Sequence, residues 1–302
     1  MLTSTHPEGP DRCPICRSQN TVEWYPANID PKKLTFSYNK TPQANKTFRV
    51  VRCCRCTHVF CSPIPKNIFK NYENVVDKSY LRYSSTRQLN AKHVLKIIQS
   101  YIPTGLLLDV GCATGDFLTV AKNSGYSAEG LELSKWSSEI TKKKGIPVYT
   151  ESLKQLANRF SGRYDIVTMW GVIEHFEHPL EEMIYIKKLL NPNGIIALWT
   201  GDVDSVTSRL LGRRWWYWQG QHVQYFTNSS LDYLAKLCGF EHIVTKIYPF
   251  LTTYELLKEA LNRYRLPQWI VKMPRPFFAI KPLWTLRLPG EMFWIARNKT
   301  RI

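Results

Sequence analysis

The sequence predicts an α/β fold, a doubly wound and mostly parallel sheet, with a small cysteine module ahead of it. Three observations carry that reading. Residues 105–116 read GLLLDVGCATGD, and the unbroken apolar run from Leu106 to Leu108 is what a strand covered on both faces carries. Asp109 ends the run, Gly111 and Gly115 bracket a tight turn, and Phe117, Leu118, Val120 and Ala121 then recur at helical spacing. Strand, glycine turn and helix in that order open a nucleotide-binding unit, in which bare backbone lets a ligand approach. Second, Glu132 closes the next apolar run, AEGLELS, about 20 residues further on, where an acidic side chain meets ribose hydroxyls. Third, two Cys-x-x-Cys pairs, Cys13/Cys16 and Cys53/Cys56, precede the whole unit.

At 302 residues there is room for one large α/β domain and a small module. Hydrophobic content of 44% and aromatic content of 13% support a core and exclude a disordered chain. The formal charge of +17 points to an anionic partner: nucleic acid, a phosphorylated substrate or an acidic membrane surface. No stretch reaches the roughly 18 uninterrupted apolar residues of a spanning helix. The start, MLTSTHPEGPDR, lacks the apolar core of a signal peptide. The expected location is cytoplasmic, with peripheral contact at the inner face of a membrane left open.

Two Cys-x-x-Cys pairs supply four thiolates, enough to close a tetrahedral zinc site at Cys13, Cys16, Cys53 and Cys56. A metal there ties together a segment too small for a strong core of its own. Such a site is structural, because four cysteines leave no open coordination position. Disulfides are disfavoured by the spacing and by the missing signal peptide; redox catalysis is disfavoured because nothing nearby resembles a thioredoxin unit. Cys54, His58 and Cys61 are spare ligands that could shift the register of the second pair. Between Pro31 and Tyr72 nine residues are Lys or Arg and none is acidic, either a phosphate-binding face or a solvated surface. The module is expected over residues 1–75, ending in the proline-broken linker SPIPKNIFKNY.

LLLDVGCATGDFL, GLELS and YDIVTMWGVIEHFEHP, in that order, resemble the class I S-adenosylmethionine-dependent methyltransferases. The resemblance is to the branch that includes ubiquinone-type O-methyltransferases and small-molecule and polysaccharide-pathway enzymes. A dehydrogenase fingerprint would need Gly-x-Gly-x-x-Gly; here Ala113 stands where these methyltransferases often carry a middle glycine. The resemblance implies a Rossmann-like, seven-stranded sheet over residues 76–302. It implies that Asp109, Gly111, Ala113, Gly115 and Glu132 bind S-adenosylmethionine, with Leu153 in the stretch flanking the adenine. Met169 and Trp170 would lie beside the methionine portion, where an aromatic face could steady the sulfonium, or Trp170 could simply be core. His175 matches a usual histidine, either a base or acceptor ligand, or a side chain that holds the loops in shape. Glu174 and His178 could join His175 in a metal site, as in some quinol O-methyltransferases.

The remaining elements follow in order. Residues 86–101 form an amphipathic helix, 134–144 another, and IPVYT a short strand. Tyr164–Trp170 is a buried strand, and Pro179 opens a helix with Glu181 and Glu182 in its first turn. Residues 194–200 are the fifth strand. The stretch SRLLGRRWWYWQGQHVQYFT then concentrates Arg209, Arg213 and Arg214 with six aromatics. By resemblance His222 and Tyr225 face the methyl acceptor, His222 as first choice of base, unless the loop merely caps the sheet. The arginines could clamp a diphosphate or acidic sugar. Asn228 is expected to cap the next helix, FEHIVTKIY and GEMFWIARN to be the last two strands. Between these, within a basic and aromatic insertion at about 250–290, residues 261–290 hold six Lys or Arg, five aromatics, five prolines and no acid. That mixture suits a membrane or lipid-linked substrate first, an interaction surface second and RNA third.

The expectation is a zinc-containing methyltransferase acting at O or C of a small-molecule or glycan acceptor, free or carried on a nucleotide or lipid. Its rivals are an RNA base methyltransferase, for which no Asn/Asp-Pro-Pro-Tyr-type motif is present, and a catalytically silent binding protein that keeps the fold.

Overall fold

The computed structural model describes residues 11–38, 45–248, 250–252, 284–286 and 290–299. Strands β1 (Thr21–Tyr25), β2 (Val50–Cys53) and β3 (Val59–Cys61) form the cysteine module. Two 3₁₀ turns, Phe69–Asn74 and Lys78–Tyr83, lead into α1 (Ser84–Gln99). Then come β4 (Leu106–Val110), α2 (Asp116–Asn123), β5 (Ser127–Leu131), α3 (Lys135–Lys143), β6 (Val148–Tyr149), α4 (Leu153–Arg159) and β7 (Tyr164–Trp170). α5 (Pro179–Leu189), β8 (Leu190–Gly201), α6 (Val206–Leu211), β9 (Gln224–Tyr225), α7 (Asn228–Leu237) and β10 (Phe240–Ile247) follow. β11 (Phe250–Thr252) pairs antiparallel with β12 (Trp284–Leu286), and β13 (Glu291–Asn298) ends the described chain.

Seven strands form the large sheet in the order β10-β13-β8-β7-β4-β5-β6. All pairs are parallel except those of β13, which runs antiparallel between β8 and β10. The unbroken apolar runs have a direct cause. Leu107, Ile166 and Ile195 pack into the core beneath α1 and α2, while their neighbours Leu108, Val167 and Ile196 pack into the core on the opposite face. Both faces are covered, so successive residues must all be apolar. The order reverses at β4, whose neighbours are β5 and β7, and the crevice at the carboxyl ends there is where open α/β sheets take their ligands.

The two cysteine turns are built alike. Arg17 N–H donates to Cys13 O and Thr57 N–H to Cys53 O, both at 3.0 Å, and Arg17 and Thr57 both adopt φ of 62°. All four sulfurs lie within 4.8 Å of one another. The register is that of Cys53 and Cys56: Cys54 is exposed, Cys61 turns its thiol toward the His222 carbonyl, and His58 bonds the Gln224 side chain at 2.8 Å.

The module's sheet runs β1-β2-β3-β9, and its last strand comes from the loop after β8. Arg52 clamps Asp204 through two bonds of 2.9 and 2.8 Å, and Thr57 meets Thr227 at 3.0 Å. The module is thereby sewn to the loop that faces the crevice.

One local expectation needs correction here. Thr227, not Asn228, caps α7, its hydroxyl accepting from Ser230 N while Ser230 reaches back to Thr227 N. A side chain at Asn228 already lies inside the first turn and cannot reach those donors. The basic and aromatic stretch over 261–290 lies outside the described residues except for β12 and Gly290. Among the described residues, no helix is long and apolar enough to cross a membrane.

Candidate active site

A cavity of about 800 Å³ opens at the carboxyl ends of β4, β5 and β7, under a roof from the segment between β1 and α1. Its first half is built by the glycine turn. Asp109, buried at the end of β4, accepts from Thr168 Oγ1 at 2.7 Å, and burial pushes its carboxyl up to about 8. Gly111 and Gly115 adopt φ of +70° and +73°, the left-handed region that favours glycine. A Cβ would also stand 2.6 Å from Val172 at Gly111 and 2.6 Å from Thr141 at Gly115. Both glycines therefore serve packing as well as turning; Gly111 lines the cavity, whereas Gly115 sits behind it as the N-cap of α2. Ala113, at φ 45°, occupies left-handed backbone with its carbonyl held by Thr141 Oγ1 at 2.9 Å.

Glu132 is the centre of this half. Its Oε2 accepts from Ala113 N at 2.8 Å, and its Oε1 from Ser134 N at 2.7 Å and Tyr38 Oη at 3.0 Å. Burial pushes its carboxyl up, and those donors pull it back toward the ionised form. Leu153, at the start of α4, lines the same end. Trp170 lines the cavity, but Met169 does not: adjacent strand residues point to opposite faces, and Met169 is packed into the core with Leu198.

The second half gathers Glu174, His175 and His222. Among the described residues their ligand atoms lie within 4.8 Å of one another, a set that could hold a metal ion. His178, expected in such a set, is the exposed residue before α5 and points elsewhere, because the 3₁₀ turn at Ile173–His175 separates it from Glu174. Glu174 accepts from the Tyr217 hydroxyl and from Thr200 Oγ1 at 3.1 Å, and burial pushes it up to about 7. His175 Nδ1 donates to Gln221 O at 2.8 Å, and burial pushes its imidazolium down to about 4, so it is neutral at physiological pH. His222 Nδ1 meets Tyr217 O at 2.7 Å, and its ring stands edge-on to His175 at 4.9 Å.

Tyr225 lies apart from the cavity wall. Its hydroxyl donates to the carbonyls of His222, at 3.0 Å, and Gln219, at 3.3 Å, so β9 uses it to brace the loop that carries His222. The expected arginine clamp is absent from the cavity: Arg213 donates to Pro26 O and lies over Tyr25, and Arg209 faces Asp204 from the surface. The loop folds outward there because Trp215, Tyr217 and Trp218 are buried in an aromatic core shared with the module.

Several lining residues had no motif to mark them. Tyr38 and Tyr72 descend from the cysteine module, Tyr72 edge-on to His175 at 5.5 Å. Glu291, the first residue of β13, accepts from Trp216 Nε1 at 2.6 Å and Trp199 Nε1 at 3.1 Å. The density of aromatics around Trp216 was the one available signal; nothing local distinguishes Glu291 or Tyr38.

Comparison with known proteins agrees with this fold. The methyltransferase-domain family matches residues 81–245. The mitochondrial ubiquinone biosynthesis O-methyltransferase of Schizosaccharomyces pombe is 27% identical over 198 residues, which are 61% of this chain and 63% of that one. The ubiquinone biosynthesis O-methyltransferase of Erwinia tasmaniensis is 27% identical over 94 residues, 29% of this chain and 39% of that one. The chain thus spans less than two thirds of the length of either relative. Crystal structures of SAM-dependent methyltransferases from Archaeoglobus fulgidus and Thermotoga maritima share the fold, each with a TM-score of 0.50 and 18% identity. They cover 73% and 77% of this chain, and 100% and 99% of their own.

Replacing Glu132 with Ala removes the anchor of the first half, and S-adenosylhomocysteine affinity should fall tenfold or more, about 1.4 kcal/mol, by calorimetry. Glu174 yields a pH prediction. Its folded carboxyl is raised from an ordinary 4.5 to about 7, so its protonated form stabilises the fold below pH 4.5 and that stability is lost as pH rises to 7. In thermal melts of the ligand-free protein, Glu174→Gln should therefore lose less stability than wild type between pH 4.5 and 7.

Proposed function

We propose, for a chain that belongs to the methyltransferase-domain family, that it transfers the methyl group of S-adenosylmethionine to oxygen or carbon of a small-molecule or glycan acceptor. One observation carries the reading: the Glu132 anchor and the glycine turn open into the same cavity as Trp170, His175 and His222. A cofactor held at one end would point its reactive group at the other.

The residues present fit S-adenosylmethionine. Glu132 offers carboxylate oxygens for ribose hydroxyls, Asp109 and the turn from Gly111 to Ala113 line the path between, and Leu153 offers an apolar surface for the adenine. When bound, the cofactor supplies an electrophilic methyl on a positive sulfur. What this chain must then do is align the acceptor in line with that methyl and exclude water. Trp170 and the tyrosines of the roof exclude water. His222 is the base: its Nδ1–H donates to Tyr217 O, a tautomer inferred from the hydrogen bonding, which makes Nε2 the basic nitrogen that takes the acceptor's proton. His175, buried and held neutral, positions the Gln219–His222 turn through Gln221.

The four cysteines hold a structural zinc in this reading. Their support is the shared geometry of the two turns and the convergence of four sulfurs.

Native mass spectrometry with added S-adenosylmethionine should show one cofactor per chain; absence of cofactor binding would overturn the enzyme reading. With an accepted substrate, His222→Ala should lower kcat about 10²-fold or more with little change in S-adenosylhomocysteine affinity. Elemental analysis should find one zinc per chain. Cys53→Ser should lose that zinc and lower Tm by several degrees.

A further inference from the structure

We propose that the methyl acceptor is a small ring compound carrying a protonated amine, received by Glu174 and Glu291 against a wall of indole and phenol rings. This rests on the methyl-transfer reading above and names the substrate class for the same site.

The starting point is a contrast of charge. The chain carries a formal +17, yet its main cavity is lined by seven carboxylates and two arginines. Four of the carboxylates, Asp109, Asp116, Glu132 and Glu151, belong to the cofactor end. Glu174 and Glu291 lie together at the other end, the charge of Glu291 raising the cost of ionising Glu174. Both arginines lie at α1 and the turn before it. Arg87 is committed to Asp116, at 2.7 Å, with its guanidinium 3.5 Å over the Tyr80 ring. Arg82 lies in the 3₁₀ turn just before α1.

The acceptor end is also rigid. Glu291 is fixed by two indole N–H donors, from Trp216 and Trp199, and Trp199 in turn stacks on Tyr248 at 5.1 Å. Glu174 is fixed by Tyr217 and Thr200. The same aromatic side chains that hold the carboxylates, Trp199, Trp216 and Tyr217, also line the cavity. Carboxylates flanked by aromatic faces attract a cation twice, by charge and by the ring quadrupoles. An acceptor bearing a carboxylate or phosphate would meet the like charges of Glu174 and Glu291 there, a strong discrimination in a desolvated site. Gln219 and Gln221, in the same wall, each retain a buried amide oxygen without a hydrogen-bond donor.

The test uses two matched sets of probes that differ only in charge, measured by calorimetry on the full chain saturated with S-adenosylhomocysteine. One set is tyramine, tyrosol and 4-hydroxyphenylacetate; the other is glucosamine, glucose and glucuronate. The ammonium member of at least one set should bind tenfold or more tighter than its neutral and anionic counterparts, and which set responds tells whether the ring is aromatic or a sugar. Glu291→Gln should reduce that preference severalfold while leaving S-adenosylhomocysteine affinity unchanged. Equal binding within a set, tighter binding of the anion, or no amine binding in either set overturns the proposal. Failure of S-adenosylhomocysteine itself to bind overturns the methyl-transfer reading instead, so the two failures are distinct.

Discussion

The buried carboxylate of Glu132 is the constraint on which the rest of the structure depends. A carboxyl removed from water, with no cation beside it, must be met by hydrogen-bond donors. Its three donors come from three parts of the chain: Ala113 in the glycine turn, Ser134 at the cap of α3 and Tyr38 in the cysteine module. Satisfying one side chain thus sets the turn, seats the helix and draws the module over the crevice. Ser134 adds a second tie, its hydroxyl donating to the Val75 carbonyl at 2.8 Å.

The module is correspondingly more than an appendage. Its four sulfurs hold two turns together, those turns fix β2 and β3, and β3 pairs with β9. β9 carries the loop with His222, and Tyr225 braces that loop from behind through the His222 carbonyl. The close fit explains the glycines here. A Cβ on Gly220 would fall 2.1 Å from Ile29, and one on Gly201 2.5 Å from Tyr217, so strand, loop and module could not meet if either position carried a side chain. Loss of order at the cysteines would propagate to the acceptor side through a continuous path of paired backbone.

The charge distribution separates surface from site. The chain's positive charge suggested an anionic ligand, and the arginines after β8 seemed placed to hold one. Yet Arg213 reaches the Pro26 carbonyl and the Tyr25 ring, and the described lining of the cavity holds seven carboxylates against Arg82 and Arg87. Long cationic side chains project to solvent easily, whereas a cavity's field is set by the few groups buried around it.

How much was legible follows from the range of the interactions. The large sheet, its helices and the two Cys-x-x-Cys pairs were determined by the sequence alone, as was the glycine turn that lines one end of the cavity with Glu132 and Leu153; the register of the second pair was left to the structure. Apolar periodicity and turn chemistry act over a few residues, and a strand buried on both faces leaves an unbroken apolar run. The caps were less legible, since Thr227 and Asn228 are both able to cap and only the backbone geometry chooses. What only the tertiary structure decided is everything that depends on which distant segments meet. Tyr38 and Tyr72 join the cavity because the module folds over α3, and Glu291 joins it because β13 inserts antiparallel between β8 and β10. Met169 leaves it because the pleat turns it to the far face, and Tyr225 because β9 was taken up by the module's sheet. Such contacts span many tens of residues, and no local pattern encodes a partner that only chain topology brings near.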